Sequence, residues 1–559
     1  MKKCKLELHG TQAPSGACAK ASGSRRETTL MPGLATRHRM GPAALILAVS
    51  AILSRLMGLV RDKVISWQFG ASGEADMYFA AFVVPDIINY LLAGGFMSIT
   101  IIPLLSRRFA EDEDDAWRFF SCVFCWTLAG SILLTAFGMF AAEPLARLTA
   151  PGFAPDQWQR LAFFMRIILP AQIFFLCGAC LTALLYLRRQ FSIPALAPLV
   201  YNGCIIATGL LLPVVAPVQG MTGYCAGVTV GAALGTFFLP LRVAAAGGLR
   251  LRPIWRHALM GRFLLTALPL MLGQTVIMLD EQFLRVFGSL VGDGAVSLLN
   301  YARRIAQVPV GLMGQAAAVA SYPFLVSLLT QGENKRFHQT LRTALSAGLA
   351  LVIPCALWMA ASAWPVLCVI FQGGSFGAEE TLAAAPLTRL MLAPAPFWIV
   401  YMVLVRGFYA YGDTVTPAAT GTLVTLICLP VYYFWAVPAG AAGIAALSGA
   451  SVSLYTLWLV GIWIHRHGKS AFAGIRGLGL RVFFCALPGA AAAWLISEYC
   501  LRELPLPPIG AACVALVAGG CVFALLFLPL SRAFTPSSVW ETIRRCVQGS
   551  SHVKSPLVE

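Results

Sequence analysis

Apolar stretches long enough to cross a bilayer recur from Gly41 to Leu530, separated by short polar turns. A membrane-spanning helix needs about 20 such residues, and the pattern predicts about fourteen. They run Pro42–Val60, Met77–Leu105, Trp117–Ala141, Leu161–Tyr186, Ala195–Leu212, Met221–Val243 and Phe263–Phe287. The series continues with Ser297–Leu329, Leu341–Phe371, Leu382–Tyr409, Pro417–Ala436, Ala439–Ile464, Leu478–Ile496 and Pro508–Leu528. None shows the short alternating runs of a membrane β-barrel. The expected fold class is therefore an all-α polytopic membrane protein.

Two connections echo each other. Tyr186-Leu-Arg-Arg-Gln-Phe-Ser-Ile-Pro194 joins the fourth and fifth expected spans, and Tyr409-Ala-Tyr-Gly-Asp-Thr-Val-Thr-Pro417 joins the tenth and eleventh. Each places an aromatic residue, a polar turn and a proline suited to the first turn of the incoming helix. The spacing of six spans predicts two six-helix lobes of the same orientation, related by an axis along the membrane normal. The expected divisions are a basic tail at 1–40, an N-lobe at 41–255 and a C-lobe at 256–470. Two further helices at 471–530 and a tail at 531–559 complete the chain.

Charges inside this apolar pattern are the candidate chemistry. Arg55 lies fourteen residues beyond Gly41, roughly 21 Å along a helix at about 1.5 Å per residue. A charge at that depth costs a few kcal/mol or more unless it meets a wet cavity or a partner. Arg55, Gly58 and Asp62 share a helix face by their i, i+3, i+7 spacing, with Ser54 beside Arg55. Arg61 points off that stripe toward the membrane edge, where it could snorkel. Arg303 and Arg304 project about 100° apart early in the eighth span, so only one need face a cavity; the alternative is a pair of interfacial anchors. Pro309 should kink or open that helix. Asp280, Glu281 and Arg285 in the seventh span read best as mutual neutralisation. Asp76 opens the second span as a helix N-cap or as a partner for Arg55 or Arg61. Arginines from two lobes facing one cavity would suit a phosphate or pyrophosphate, which they grip bidentately.

Composition narrows the classes. The chain is 58% hydrophobic and 12% charged, with mean hydropathy +0.76. Its net charge of +17 lies largely in tails and short loops such as Leu241–Arg262 and His465–Arg481. That is the positive-inside pattern of a cytoplasmic face, not a nucleic-acid footprint. An even span count then puts both termini in the cytoplasm. Cys122/Cys125 and Cys177/Cys180 match CxxC, but they sit in apolar helices where Cys is a small hydrophobe, and no metal or cofactor is expected. The first forty residues have no signal-peptide core and read as a disordered cytoplasmic tail; Met1, Met31 and Met40 are all possible starts. No GxxxxGK[ST] loop occurs, which argues against direct ATP drive.

These residues resemble the MurJ (MviN) family of lipid II flippases, within the multidrug/oligosaccharidyl-lipid/polysaccharide exporter superfamily. The resemblance rests on Ser54-Arg55-Leu-Met-Gly58-Leu-Val-Arg61-Asp62 and on Phe69-Gly70-Ala71 with Asp76. It extends to Phe191–Pro198 with Asn202, Tyr301-Ala-Arg-Arg304, Phe371-Gln372 with Phe376, and Phe408–Ala410 with Asp413 and Pro417. It covers nearly everything from Met40 to about Leu530 and implies a fourteen-helix fold with a lateral opening. It also implies that Arg55, Arg61, Asp62 and Arg304 line a cationic cavity. The family often carries an arginine four residues after the second-span proline, then an acid. Counted from Pro85, Asn89 and Gly94 stand there, and Arg303 could compensate.

The expected function is transport without catalysis. The cargo would be a polyprenyl-pyrophosphate-linked disaccharide-pentapeptide, flipped by alternating access across the bacterial inner membrane. Membrane lipid and cell-wall synthesis proteins are expected partners, and a coupling ion or the membrane potential is the expected drive. The rivals are a flippase for an O-antigen or capsule unit, a cation-coupled drug exporter, whose cavity should be acidic or neutral, and an enzyme, for which no clustered carboxylates or histidines at catalytic spacing occur.

Overall fold

The computed structural model describes residues 40–93, 96–217, 219–273 and 275–534. The expected tails at 1–39 and beyond 534, and the position of Gly94, lie outside them. The N-terminal half contains α1 (Met40–Phe69), α2 (Gly73–Ala80), α3 (Val83–Ala93), α4 (Phe96–Glu111), α5 (Glu113–Phe140) and α6 (Ala142–Thr149). It continues through α7 (Pro155–Ile168), α8 (Ala171–Leu187), α9 (Ser192–Val215), α10 (Thr222–Gly231) and α11 (Leu239–Ala246). The C-terminal half contains α12 (Met260–Gly273), α13 (Thr275–Gly288), α14 (Ala295–Pro309), α15 (Gln315–Thr330), α16 (Asn334–Ala361) and α17 (Ala363–Ile370). It ends with α18 (Ala378–Leu392), α19 (Ala395–Ala410), α20 (Val415–Val431), α21 (Gly440–His467), α22 (Ile475–Glu503) and α23 (Pro508–Phe534).

Among the described residues, nine helices are long and apolar enough to cross a membrane, or ten if the bent pair α18–α19 is one span. The protein is thus an all-α polytopic membrane protein. The four expected spans outside that set are the first, second, seventh and eighth, and these are the charged ones. Helix α1 is unbroken but carries Arg55, Arg61, Asp62 and Lys63. In the second, α2 gives way to α3 at a turn over 81–82, and in the eighth a π-helical segment, Val310–Gly314, stands between α14 and α15. Three π-helical segments, Ala232–Phe238, Val310–Gly314 and Tyr432–Ala436, each lie within two residues of a proline: Pro240, Pro309 and Pro430. A proline removes the N–H that would close the regular ladder, and a widened turn is one way the helix absorbs the loss.

The two echoing connections fold alike. Helix α8 ends and α9 begins within the first; α19 ends and α20 begins within the second. Each turn carries a left-handed residue three positions after its tyrosine, Arg189 (φ 59°) and Gly412 (φ 77°). The hydrogen bonds match: Gln190 N donates to Leu185 O (2.9 Å) and Asp413 N to Phe408 O (3.0 Å). The sequence echo is therefore a shared helix-stop geometry in which a left-handed residue turns the chain.

The two halves meet tightly at the end where α1 stops. Ser375 N donates to Trp67 O (2.8 Å), and Ser375 Oγ donates to Gln68 O (2.9 Å). Ser66 Oγ reaches Phe371 O (3.2 Å), Lys63 Nζ reaches Gln372 O (2.6 Å), and Tyr301 Oη reaches Gly70 O (3.2 Å). Gly70 itself is left-handed (φ +61°), and the Ser375 carbonyl leaves no room for a Cβ there. Between the halves, the linker lies extended along α5. Ser121 Oγ donates to Arg250 O and accepts from Arg252 N, both at 3.2 Å, and Trp126 Nε1 donates to Trp255 O (2.9 Å).

Gly70 and Gly412 separate two effects. Both need a left-handed backbone, which costs a side chain about 1–2 kcal/mol, but nothing crowds Gly412. Gly70→Ala should therefore lower the thermal unfolding midpoint in detergent more than Gly412→Ala does. Equal shifts would show that the Ser375 contact adds nothing.

Candidate functional site

A cavity of about 770 Å³ lies between the halves, lined by α1, α3 and α9 on one side and by α13, α14, α19 and α21 on the other. Behind its wall, Asp62 joins two arginines from different halves. Its carboxylate, fully buried, accepts from Arg61 Nη2 (2.8 Å) and Nε (3.0 Å) through Oδ1. Through Oδ2 it accepts from Arg304 Nε on α14 (2.8 Å). Arg61 Nη1 also donates to Asn202 Oδ1 on α9 (3.2 Å), and that amide is oriented by donating to Pro198 O (2.9 Å). Truncating one partner of such a buried network strands the others. Arg55 lies about two helical turns before Asp62 on α1, with its guanidinium against Gly311 in the π-helical segment after Pro309. A side chain at Gly311 would occupy the same space.

A second network lies on α3, α13 and α14. Arg285 Nη1 donates to Asp86 Oδ2 across the halves (2.7 Å) and to Gln282 Oε1 (3.0 Å), while Nη2 donates to Glu281 Oε1 (2.8 Å). Arg303 Nη1 donates to Asp280 Oδ2 (2.7 Å), which also accepts from Ser448 Oγ (3.1 Å). Arg303 Nε is 4.0 Å from Glu281 Oε2. Five guanidinium groups thus face four carboxylates, so the cavity is a polarised ion network with a small cationic excess.

The sequence-predicted residues fall as follows. Ser54, Arg55, Gly58, Arg61, Arg303 and Arg304 line the cavity, and Asp62 is buried behind it. Arg61 does not snorkel to the membrane edge: Asp62 and Asn202 hold it inward. Arg303 and Arg304 both reach the cavity, because each finds its own carboxylate. Asp280 and Arg285 do not neutralise each other; only Glu281–Arg285 follows the expected pairing. Asn89 is not among the lining residues, whereas Asp86 and Tyr90 of the same helix are.

Asp76 partners neither Arg55 nor Arg61, nor does it cap its own helix, where Ser72 takes that place. It accepts from Gly294 N (2.6 Å) and Ser297 N (2.7 Å), capping α14 from the opposite half. A carboxylate there meets the positive end of that helix. Asp86 was missed, although the rule that singled out Arg55 applies to any carboxylate inside an apolar run. Among the described residues, no His, Cys, Asp and Glu group could hold a metal. Cys122, Cys125, Cys177 and Cys180 are free thiols.

A charged cavity enclosed between two halves of an apolar helical bundle defines a polytopic membrane transport protein. The family described as Lipid II flippase MurJ matches residues 65–504. The chain is 28% identical over 509 residues to the lipid II flippase MurJ of Burkholderia cenocepacia, covering 85% of this chain and 95% of that one. It is 26% identical over 423 residues to the probable lipid II flippase MurJ of Haemophilus influenzae, covering 72% and 82%. In fold, it is similar to a lipid II flippase MurJ in an inward closed conformation, with TM-score 0.72 at 20% identity over 88% of this chain and all of that one. It also matches an inward-facing multidrug MATE transporter of the MOP superfamily, with TM-score 0.62 at 15% identity over 78% and 98%. The chain belongs to the MurJ family, a family of flippases for lipid-linked peptidoglycan precursors and not of catalytic enzymes.

The Asp62 cluster predicts an asymmetry. Asp62→Ala leaves two guanidinium groups without their carboxylate, and removing one partner of a buried pair costs about 3–5 kcal/mol. Its thermal unfolding midpoint should fall well below that of Asp62→Asn, which keeps an acceptor oxygen. Matching midpoints would show that hydration replaces the carboxylate without loss.

Proposed function

We propose that this chain flips lipid II, the polyprenyl-pyrophosphate-linked disaccharide-pentapeptide, from the inner to the outer leaflet of a bacterial inner membrane. The observation that carries this reading is Asp62 held between Arg61 and Arg304, one arginine from each half. A pyrophosphate offers more oxygens than one carboxylate and would compete with Asp62 for both guanidinium groups. Arg55, Arg61 and Arg304 are the proposed pyrophosphate ligands, with Ser54 and Gly58 leaving space along α1. Arg303 is proposed to contribute through the local field, since Asp280 occupies it. Asn89 is left out of the headgroup site, because Asp86 and Tyr90 present that helix to the cavity.

The position of the contacts supports alternating access. The proposed architecture is fourteen helices in two six-helix lobes plus α22 and α23, with both termini cytoplasmic. The matched turns at Arg189 and Gly412 support the repeat, and the basic loops support the orientation. In that frame the joined end at Gly70, Asp76 and Ser375 is the outer gate, and the cargo enters from the cytoplasmic leaflet. Its tail stays in lipid while the headgroup crosses. An inside-negative potential favours outward movement of an anion by about 2.3 kcal/mol per charge per 100 mV. The drive is this potential or a counter-ion.

Rescue of a MurJ-depleted bacterium is the direct test. The wild-type chain should restore growth, while Arg55→Ala and Arg304→Ala, expressed to the same level in the membrane, should not. Full rescue by both variants would sink the arginine cavity. If the chain fails to rescue although membrane-inserted, and an O-antigen or capsule precursor accumulates on its depletion, the cargo is that other glycan.

A further inference from the structure

The cavity is polarised across its width. On α1 and the facing part of α14, three guanidinium groups (Arg55, Arg61 and Arg304) stand against one carboxylate, Asp62. On α3, α13 and the next face of α14, three carboxylates (Asp86, Asp280 and Glu281) stand against two guanidinium groups, Arg285 and Arg303. Asp280 lies behind the wall, bound to Arg303 and Ser448. The charged groups that face the space here are Asp86 and Glu281, with Arg285, which they share, and Arg303, which Asp280 engages from behind.

Both carboxylates line the cavity, with side chains 26% and 24% exposed. Arg285 engages Asp86 Oδ2 and Glu281 Oε1, and each carboxylate has a second oxygen. Asn300 lies one helical turn before Arg303, whose Nε is 4.0 Å from Glu281 Oε2. Its side chain lines the same cavity, is only 8% exposed, and its Nδ2 has no hydrogen-bond partner. An amide buried this deeply without a partner forgoes about 1–3 kcal/mol. With Asp280 neutralising Arg303 from behind, the wall thus presents two carboxylates that share one guanidinium, beside an unused amide.

We propose that Asp86, Glu281 and Asn300 form a second subsite for a primary ammonium group carried on the peptide of the cargo headgroup. This rests on the proposed function, since it places the pyrophosphate at the opposite wall. An ammonium group has three N–H donors and no acceptor, so it matches carboxylate oxygens on two helices. A peptide carbonyl beside the amine would take the Asn300 Nδ2. A compact metal ion fits less well: hard cations collect six or more oxygens, and Arg285 stands between the two carboxylates. The two walls together would select a headgroup with its anion at one end and its amine at the other. They would disfavour glycans that lack the amine, because Asp86 and Glu281 would then be desolvated without a counter-charge.

The test uses the full-length protein in lipid nanodiscs. Binding of the polyprenyl-pyrophosphate disaccharide-pentapeptide is compared with binding of the same lipid after acetylation of its peptide amine. The wild-type chain should bind the acetylated lipid about tenfold more weakly, the scale of one charge-assisted hydrogen bond. In Asp86→Asn/Glu281→Gln the two lipids should bind alike. Glu281→Gln alone, which leaves Asp86 on Arg285, should narrow the ratio if the double variant does not fold. Equal binding of both lipids by the wild-type chain overturns the ammonium subsite and leaves the flippase reading intact. Absence of binding to either lipid overturns the flippase reading itself. Sodium-dependent binding that ignores acetylation would also overturn the proposal and assign the wall to an inorganic cation.

Discussion

An ion buried in an apolar bundle must be compensated where it stands, and here the compensation is made between the two halves of the chain. Asp62 on α1 is fully buried and survives as a carboxylate site only with Arg61 beside it and Arg304 opposite. Arg285 on α13 similarly depends on Asp86 on α3. Neither half can close over these groups alone without leaving an unpaired charge in a medium of low dielectric. The cavity charges and the contact between the halves are thus one physical feature.

The same feature bears on two irregular helices. Of the expected spans that carry the charges, the second is interrupted by the turn at 81–82 between α2 and α3, and the eighth by the π-helical segment between α14 and α15. Backbone groups freed at such breaks are tolerated at membrane depth only where protein or a wet cavity receives them. The π-helical turn after Pro309 is one example, since it brings Gly311 against the Arg55 guanidinium. The apolar spans whose charges lie only near their ends, such as α5, α21 and α23, remain continuous and form the scaffold.

The joined end shows how the halves are registered. Asp76 caps α14 across the divide, and the left-handed Gly70 lets the chain pass directly under Ser375. Most of these contacts are made by backbone carbonyls and amides, as at Trp67, Gln68, Phe371 and Gln372. Such contacts impose little demand on side-chain identity, since every residue supplies the same backbone carbonyl. The charged cavity beneath is different, because its partners are specific. An anionic cargo could replace Asp62 there, whereas water would be a weak substitute.

The apolar pattern by itself determined the all-α polytopic class, because a hydrocarbon core admits few alternatives. The cost of a deep charge likewise marked Arg55 as a residue needing a cavity or a partner before any packing was known. The polar turns at Tyr186 and Tyr409 also announced their common geometry, since helix stops are local. Pairing was decided only by the tertiary structure. Arg61 lies off the Arg55–Asp62 stripe on a helical wheel, yet Asn202, from 141 residues away, draws it inward. Asp76 looked like a local cap and is a cap for a helix more than 200 residues on. Asp280 and Arg285, five positions apart, went to different partners because α3 and α14 each brought a nearer ion. Local spacing sets which charges must be compensated; only the packing of distant helices can set which group compensates each one.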